Sequence, residues 1–90
     1  MNNEYFILYG TKDKETYYIS NTNPVIWTPD IKESKKYYTR YSAEFDVLRD
    51  YDNYKSITNL INNNKLDVLY VAIIDNTSKD YTEKGRVKLL

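Results

Sequence analysis

The chain has 90 residues, too few to divide its apolar side chains between two cores, so one domain spanning residues 1–90 is expected. It contains no Cys and no His, which removes disulfides, thiolate nucleophiles and cysteine metal sites, along with the commonest general base and metal ligand. Thirteen Lys and Arg against 13 Asp and Glu give zero net charge, and with it goes the global field of a nonspecific nucleic-acid binder or an acidic DNA mimic.

Residues 1–4 carry no basic cluster and open no long apolar run, and the longest apolar stretches elsewhere fall far short of a membrane span. The expectation is therefore a cytoplasmic protein with no membrane partner. Eleven tyrosines stand against two Phe and one Trp. A tyrosine ring suits a thin domain because its body packs while its hydroxyl reaches water. AT-rich coding gives the same composition, so the count alone is not evidence of binding.

Residues 4–9 form an apolar and aromatic run, residues 11–15 are polar, and residues 16–20 resume with Tyr17, Tyr18 and Ile19. This pattern predicts a β-hairpin turned around residues 10–14. Pro24 biases Asn23 away from helix, and residues 25–27 are a short extended piece. Thr28, Pro29 and Asp30 then read as a helix start, with Thr28 as N-cap and Pro29 at the first helical position. After one or two turns, residues 36–38 are extended.

A second helix start lies at Thr39 or Ser42, ahead of Ala43, Val47, Leu48 and Tyr51 at helical spacing. Asp52 and Asn53 are expected to interrupt it before a further helix over residues 54–62. Asn62, Asn63 and Asn64 end that helix as a turn. Residues 66–74 put apolar groups on both faces, which predicts an interior strand. After a polar connection over residues 75–85, Arg86, Val87, Lys88 and Leu89 alternate as in a half-exposed terminal strand.

The elements sum to an α+β fold: an antiparallel or mixed sheet of about four or five strands with two or three short helices on one face. The expected core is Phe6, Leu8, Ile19, Ile26, Trp27, Ile31, Ala43, Val47, Leu48, Ile57, Leu60, Ile61, Val68, Tyr70, Ala72, Ile74, Val87 and Leu89.

The stretch Trp27-Thr28-Pro29-Asp30-Ile31-Lys32-Glu33-Ser34-Lys35-Lys36-Tyr37, after a hairpin and before Thr39, Ala43, Glu44 and Leu48, resembles small, mostly uncharacterised accessory proteins of phages and prophages of low-GC Gram-positive bacteria. Ser34 stands where that pattern has alanine, and the likeness covers roughly the first half of the chain. The resemblance implies a genomic setting rather than a reaction. Such proteins bind and inhibit or redirect a host protein, anti-CRISPR inhibitors among them.

The best local patch interleaves bases with rings: Lys32, Lys35, Lys36, Tyr37, Tyr38, Arg40 and Tyr41. Those groups serve a protein interface, where Tyr and Arg dominate binding hot spots, and they can also neutralise phosphates and stack bases. The competing reading is solvated lysines with alternate tyrosines in the core. Glu44, Asp46, Asp50 and Asp52 form an acidic run, but no glycine serves a calcium loop and spacing along one helix does not show convergence, so a solvated face outweighs a metal site. Two glycines cannot build a phosphate-cradling loop, and no base stands ready for a Ser or Thr nucleophile.

The expectation is a non-enzymatic protein-binding module with no catalytic residue, metal or cofactor. Its contacts are Lys35, Lys36, Tyr37, Tyr38, Arg40 and Tyr41, together with the polar loop over residues 76–84. A nucleic-acid or nucleotide binder using residues 32–41 is the second choice and a small metal-dependent hydrolase the third. An exposed edge strand would let two copies pair.

Overall fold

The computed structural model describes residues 3–90; Met1 and Asn2, part of the chain start read above, lie outside them. Five strands form one antiparallel sheet: β1 (Glu4–Lys12), β2 (Glu15–Asn21), β3 (Ile26–Thr28), β4 (Val68–Asp75) and β5 (Glu83–Lys88), in the order β3-β2-β1-β4-β5. Two α-helices, α1 (Arg40–Glu44) and α2 (Tyr51–Asn62), lie between β3 and β4 in sequence. The α+β architecture is as expected, and β4 is interior, paired with β1 and β5.

The β1–β2 turn is tighter than the composition suggested. Asp13 and Lys14 both take positive φ, at 50° and 71°, between the paired Lys12 and Glu15, as a two-residue hairpin turn requires. Gly10 stays inside β1, opposite Tyr17 and Leu69. A Cβ there would stand 2.5 Å from Leu66 Cδ1, so the glycine makes room for the chain arriving from α2.

Alternation along the strands gives the sheet two faces. One carries Leu8, Ile19, Leu69 and Val71 and is covered by Ala43, Val47 and Ile57 from the helical segment. The other carries Tyr5, Ile7, Tyr9, Ala72 and Ile74, with Tyr18, Tyr70, Ile31 and Tyr81 packed against them and no residue of α1 or α2. The expected core drew on both faces, taking Ile31, Tyr70, Ala72 and Ile74 from the second, and omitted Tyr5, Ile7, Tyr9, Tyr37, Leu66, Leu69 and Val71, all buried. Ile26 and Leu48, expected inside, are exposed.

Two helix expectations are corrected. Thr28 belongs to β3, pairing with Tyr18, and its hydroxyl accepts from Asp30 N and donates to Glu33. The N-cap is Asp30, which accepts from Lys32 N at 2.9 Å, and only a single 3₁₀ turn, Ile31–Glu33, follows. In the second case Thr39 does cap α1, accepting from Ser42 N, but the helix passes into a π-helical turn over Phe45–Arg49. That wider turn shifts the helical phase, so Ala43 and Val47 face the sheet while Leu48 and Tyr51 turn to solvent. The break falls at Asp50 rather than at Asp52 and Asn53: its carboxylate accepts from Asn53 N, and α2 starts at Tyr51, three residues earlier than expected.

The asparagine turn after α2 is as expected. Asn64 is left-handed at φ 58°, and Lys65 N reaches back to Leu60 O at 2.8 Å. No described helix is long and apolar enough to cross a membrane.

Candidate functional site

The segment 35–41 is divided by its own backbone. Tyr37 and Phe6 exchange both backbone hydrogen bonds at 2.8 Å, which adds Tyr37 to the sheet beside β1 where β2 has diverged. Extended chain alternates its side chains. Tyr37 therefore points under the helices, while Lys36 crosses to the other face and lies 4.9 Å over the Tyr5 ring. The six proposed contact residues do not form one patch.

Asp46 organises the residues on the helical side. Its Oδ2 accepts from Lys35 Nζ at 2.9 Å, Tyr37 Oη at 2.6 Å and Thr22 Oγ1 at 3.0 Å. Burial pushes the Asp46 carboxyl up, but these three donors and the Lys35 charge outweigh it and hold it below the usual carboxylate range. Burial, then the Asp46 hydrogen bond, pushes the Tyr37 phenol well above its ordinary value. Tyr37 is 6% exposed, so it is a core residue rather than a contact residue, and Lys35 is committed to Asp46.

The other members stay outside. Tyr38 is 71% exposed, Tyr41 63% and Phe45 47%. Arg40 pairs with Glu44 at 2.8 Å, one turn along α1. Tyr41 and Phe45 rings lie 6.1 Å apart, and Leu48 continues their line at helical spacing. Tyr41, Glu44, Phe45, Leu48 and Arg49 line a shallow cleft of about 330 Å³. The sequence pattern assigns Phe45 to neither core nor surface, and Leu48 was missed as a surface residue because an apolar residue at helical spacing ordinarily faces a core. Only the π-turn reverses that.

The acidic run does not converge. Glu44 holds Arg40, Asp46 holds Lys35, and Asp50 caps α2. Among the described residues no group of three or more acidic side chains is placed to hold a metal ion.

On the helix-free face, Tyr9 Oη donates to Glu83 Oε1 at 2.8 Å and accepts from Arg86 Nη1 at 3.1 Å. The Arg86 guanidinium lies 4.4 Å over the Tyr70 ring. Burial, opposed by Arg86 and aided by Glu83, leaves the Tyr9 phenol above its ordinary value. Sequence reading missed this trio because Glu83 and Arg86 come from an edge strand whose charges look merely solvated.

Fold and surface together define a small α+β domain, one helical face aromatic and open, the opposite sheet face tyrosine-lined. Compared with protein-family models, curated proteins and solved structures, the chain matches none of them.

Proposed function

We propose that the chain is a non-enzymatic binding module, a phage or mobile-element accessory protein that inhibits or redirects a host protein through the surface of Tyr38, Tyr41, Phe45 and Leu48. One observation carries this reading: the Tyr41 and Phe45 rings pack on each other in the open, with Leu48 exposed beside them, on a helical segment whose Ala43 and Val47 are buried against the sheet. Isolated exposed apolar groups are ordinary, but a contiguous aromatic row on one helix face fits the hydrophobic groove of a partner. Arg40 and Arg49 at its margin supply the residue type that anchors interface hot spots. The resemblance of residues 27–48 to phage accessory proteins supports the same reading, as does the absence of His, Cys and clustered Gly from the sequence.

The nucleic-acid alternative loses its support in residues 32–41, because Lys35 and Arg40 already face carboxylates and Tyr37 is buried. Affinity capture from extracts of a low-GC Gram-positive host, with and without nuclease, tests the proposal. A protein retained by the unaltered chain after nuclease, and lost with the pair Tyr41→Ser and Phe45→Ser, is the expected result. Retention by the double variant, or loss on nuclease treatment alone, overturns it.

A further inference from the structure

The helix-free face of the sheet contains a cleft of about 290 Å³, at the small end of ligand cavities. Ile7 of β1 and Ile74 of β4, both buried, line it together with Tyr18, Ile31 and Tyr81. Polar groups converge on this apolar and aromatic lining. Thr11 and Thr16 are cross-strand partners, so both hydroxyls sit on the same face. The hydroxyls of Thr11, Thr16, Tyr18 and Tyr81 have no hydrogen-bond partner among the described residues.

Glu83 and Arg86 supply the charge. Both bond to the one Tyr9 hydroxyl, so an acceptor and a donor are fixed as neighbours at the cleft. Neither takes part in an ion pair among the described residues, and Glu83 Oε2 and Arg86 Nη2 have no hydrogen-bond partner there. The cation–π contact of the Arg86 guanidinium with Tyr70, 4.4 Å from the ring centroid, restrains that side chain.

A ligand suited to this arrangement is flat, to lie against tyrosine rings, and carries an acceptor beside donors on one edge. Guanine has that edge: its O6 accepts from an arginine, and the adjoining N1–H and N2–H groups donate to a carboxylate. Adenine places only a single amine beside a ring nitrogen, leaving the carboxylate with one donor. We propose that this cleft binds a guanine base between Tyr18 and Tyr81, with Glu83 and Arg86 reading its edge. The site lies on the opposite side of the sheet from Tyr41 and Phe45 and goes beyond the binding-module reading, which stands or falls separately.

The source of the base is a free nucleoside or nucleotide, or a base splayed from a single strand, and the same titration distinguishes them. The full ¹⁵N-labelled chain is titrated with guanosine, GMP, a tetranucleotide containing one guanine, and adenosine. The expected result is saturable shifts at Thr11, Thr16, Tyr18 and Glu83 with guanosine and much weaker ones with adenosine. Tighter binding of the tetranucleotide assigns the base to a strand, and equal binding to a free nucleoside or nucleotide.

Glu83→Gln should weaken guanosine binding by about tenfold or more, since it exchanges a charge-assisted acceptor for a neutral one. Arg86→Met should act in the same direction. Both side chains are exposed, so both variants should keep the spectrum of the folded chain, and Thr16→Val tests the cleft without touching either charge. No saturable shift with GMP at about 10 mM, a concentration that fills most of a site whose Kd is about 1 mM, overturns the proposal. Equal affinity for adenosine, or Glu83→Gln binding as the unaltered chain does, overturns it as well.

Discussion

Tyr37 donates its phenolic hydrogen to Asp46 across 2.6 Å, tying the extended segment beside β1 to the π-helical turn that covers it. Lys35 and Thr22 donate to the same carboxylate oxygen. Asp46→Asn leaves an ammonium and two hydroxyls competing for one neutral oxygen, so it should destabilise the chain by about 2–3 kcal/mol. Tyr37→Phe removes one donor of three and should cost about 1 kcal/mol. Total stability for a chain of this size is of order 5–13 kcal/mol, so denaturant titration will separate the two variants. Equal losses would show that Asp46 acts through something other than these donors.

The same pair sets a pH window. Asp46 is held below its unfolded pKa of about 3.9, so its contribution is present above that value and is lost as pH falls through the lower folded pKa. Tyr37 is held above its unfolded value of about 10, so its contribution is complete below pH 10 and is lost as pH rises beyond it. Melting temperature should therefore be flat from about pH 5 to 9 and fall at both ends. Tyr37→Phe should blunt the alkaline fall and Asp46→Asn the acid one. An alkaline limb unchanged in Tyr37→Phe would assign that limb to other tyrosines.

Asn53 is 2% exposed and fastens the β2–β3 connection to the helical layer. Its Oδ1 accepts from Asn23 N at 3.1 Å, and its Nδ2 donates to Asp46 O at 2.8 Å. Asn53→Ala strands a backbone donor and a backbone acceptor, each costing about 1 kcal/mol or more if water does not reach it. A loss of about 2–3 kcal/mol by chemical denaturation is expected. Asn53→Asp keeps the acceptor but sets a buried carboxylate against the Asp46 carbonyl oxygen, so at neutral pH it should cost at least as much as Asn53→Ala, and a smaller loss would show that water reaches this site.

Local patterns made the sheet legible because strands announce themselves by alternation and bounding turns. Residues 66–74, apolar on both faces, were readable as an interior strand, and the three asparagines as a helix end. What was not legible depends on pairing at a distance. Nothing near Tyr37 in sequence says that it will bridge to Phe6, 31 positions away, yet that bridge divides Lys35 and Tyr37 from Lys36 and breaks the apparent basic and aromatic patch. Likewise the π-turn separates two neighbouring apolar positions, sending Leu48 outward while Val47 stays in. The second buried face was obscured by chemistry, because Tyr5 and Tyr9 carry hydroxyls that make core residues look like surface ones.

Gly10 and Leu66 make a further relationship measurable. A methyl at residue 10 would overlap Leu66 Cδ1 at 2.5 Å and crowd Cδ2 and Cγ at 3.0 Å. Leu66 is itself buried, so its side chain yields only by displacing neighbours, and Gly10→Ala should destabilise by about 1–3 kcal/mol despite the better strand propensity of alanine. In a Leu66→Ala background the clash disappears, and Gly10→Ala should become neutral or stabilising. The coupling in that double-mutant cycle should reach about 1–2 kcal/mol, whereas additivity would mean that the two groups do not meet.

The exposed aromatic row gives the opposite thermodynamic signature. Tyr41 and Phe45 pack mainly on each other, so replacing both with serine removes little buried surface and should change stability by less than about 1 kcal/mol. Solubility should rise, because a contiguous apolar patch is lost. For comparison, Val47→Ala, two residues from Phe45 on the buried side, should cost about 1–2 kcal/mol while leaving the contact surface intact. Paired melting and binding measurements on the two variants therefore give opposite answers: one folds normally and loses its partner, the other is destabilised and keeps it. If the serine variant were instead the less stable of the two, Tyr41 and Phe45 would belong to the core and the proposed surface would have to be sought elsewhere.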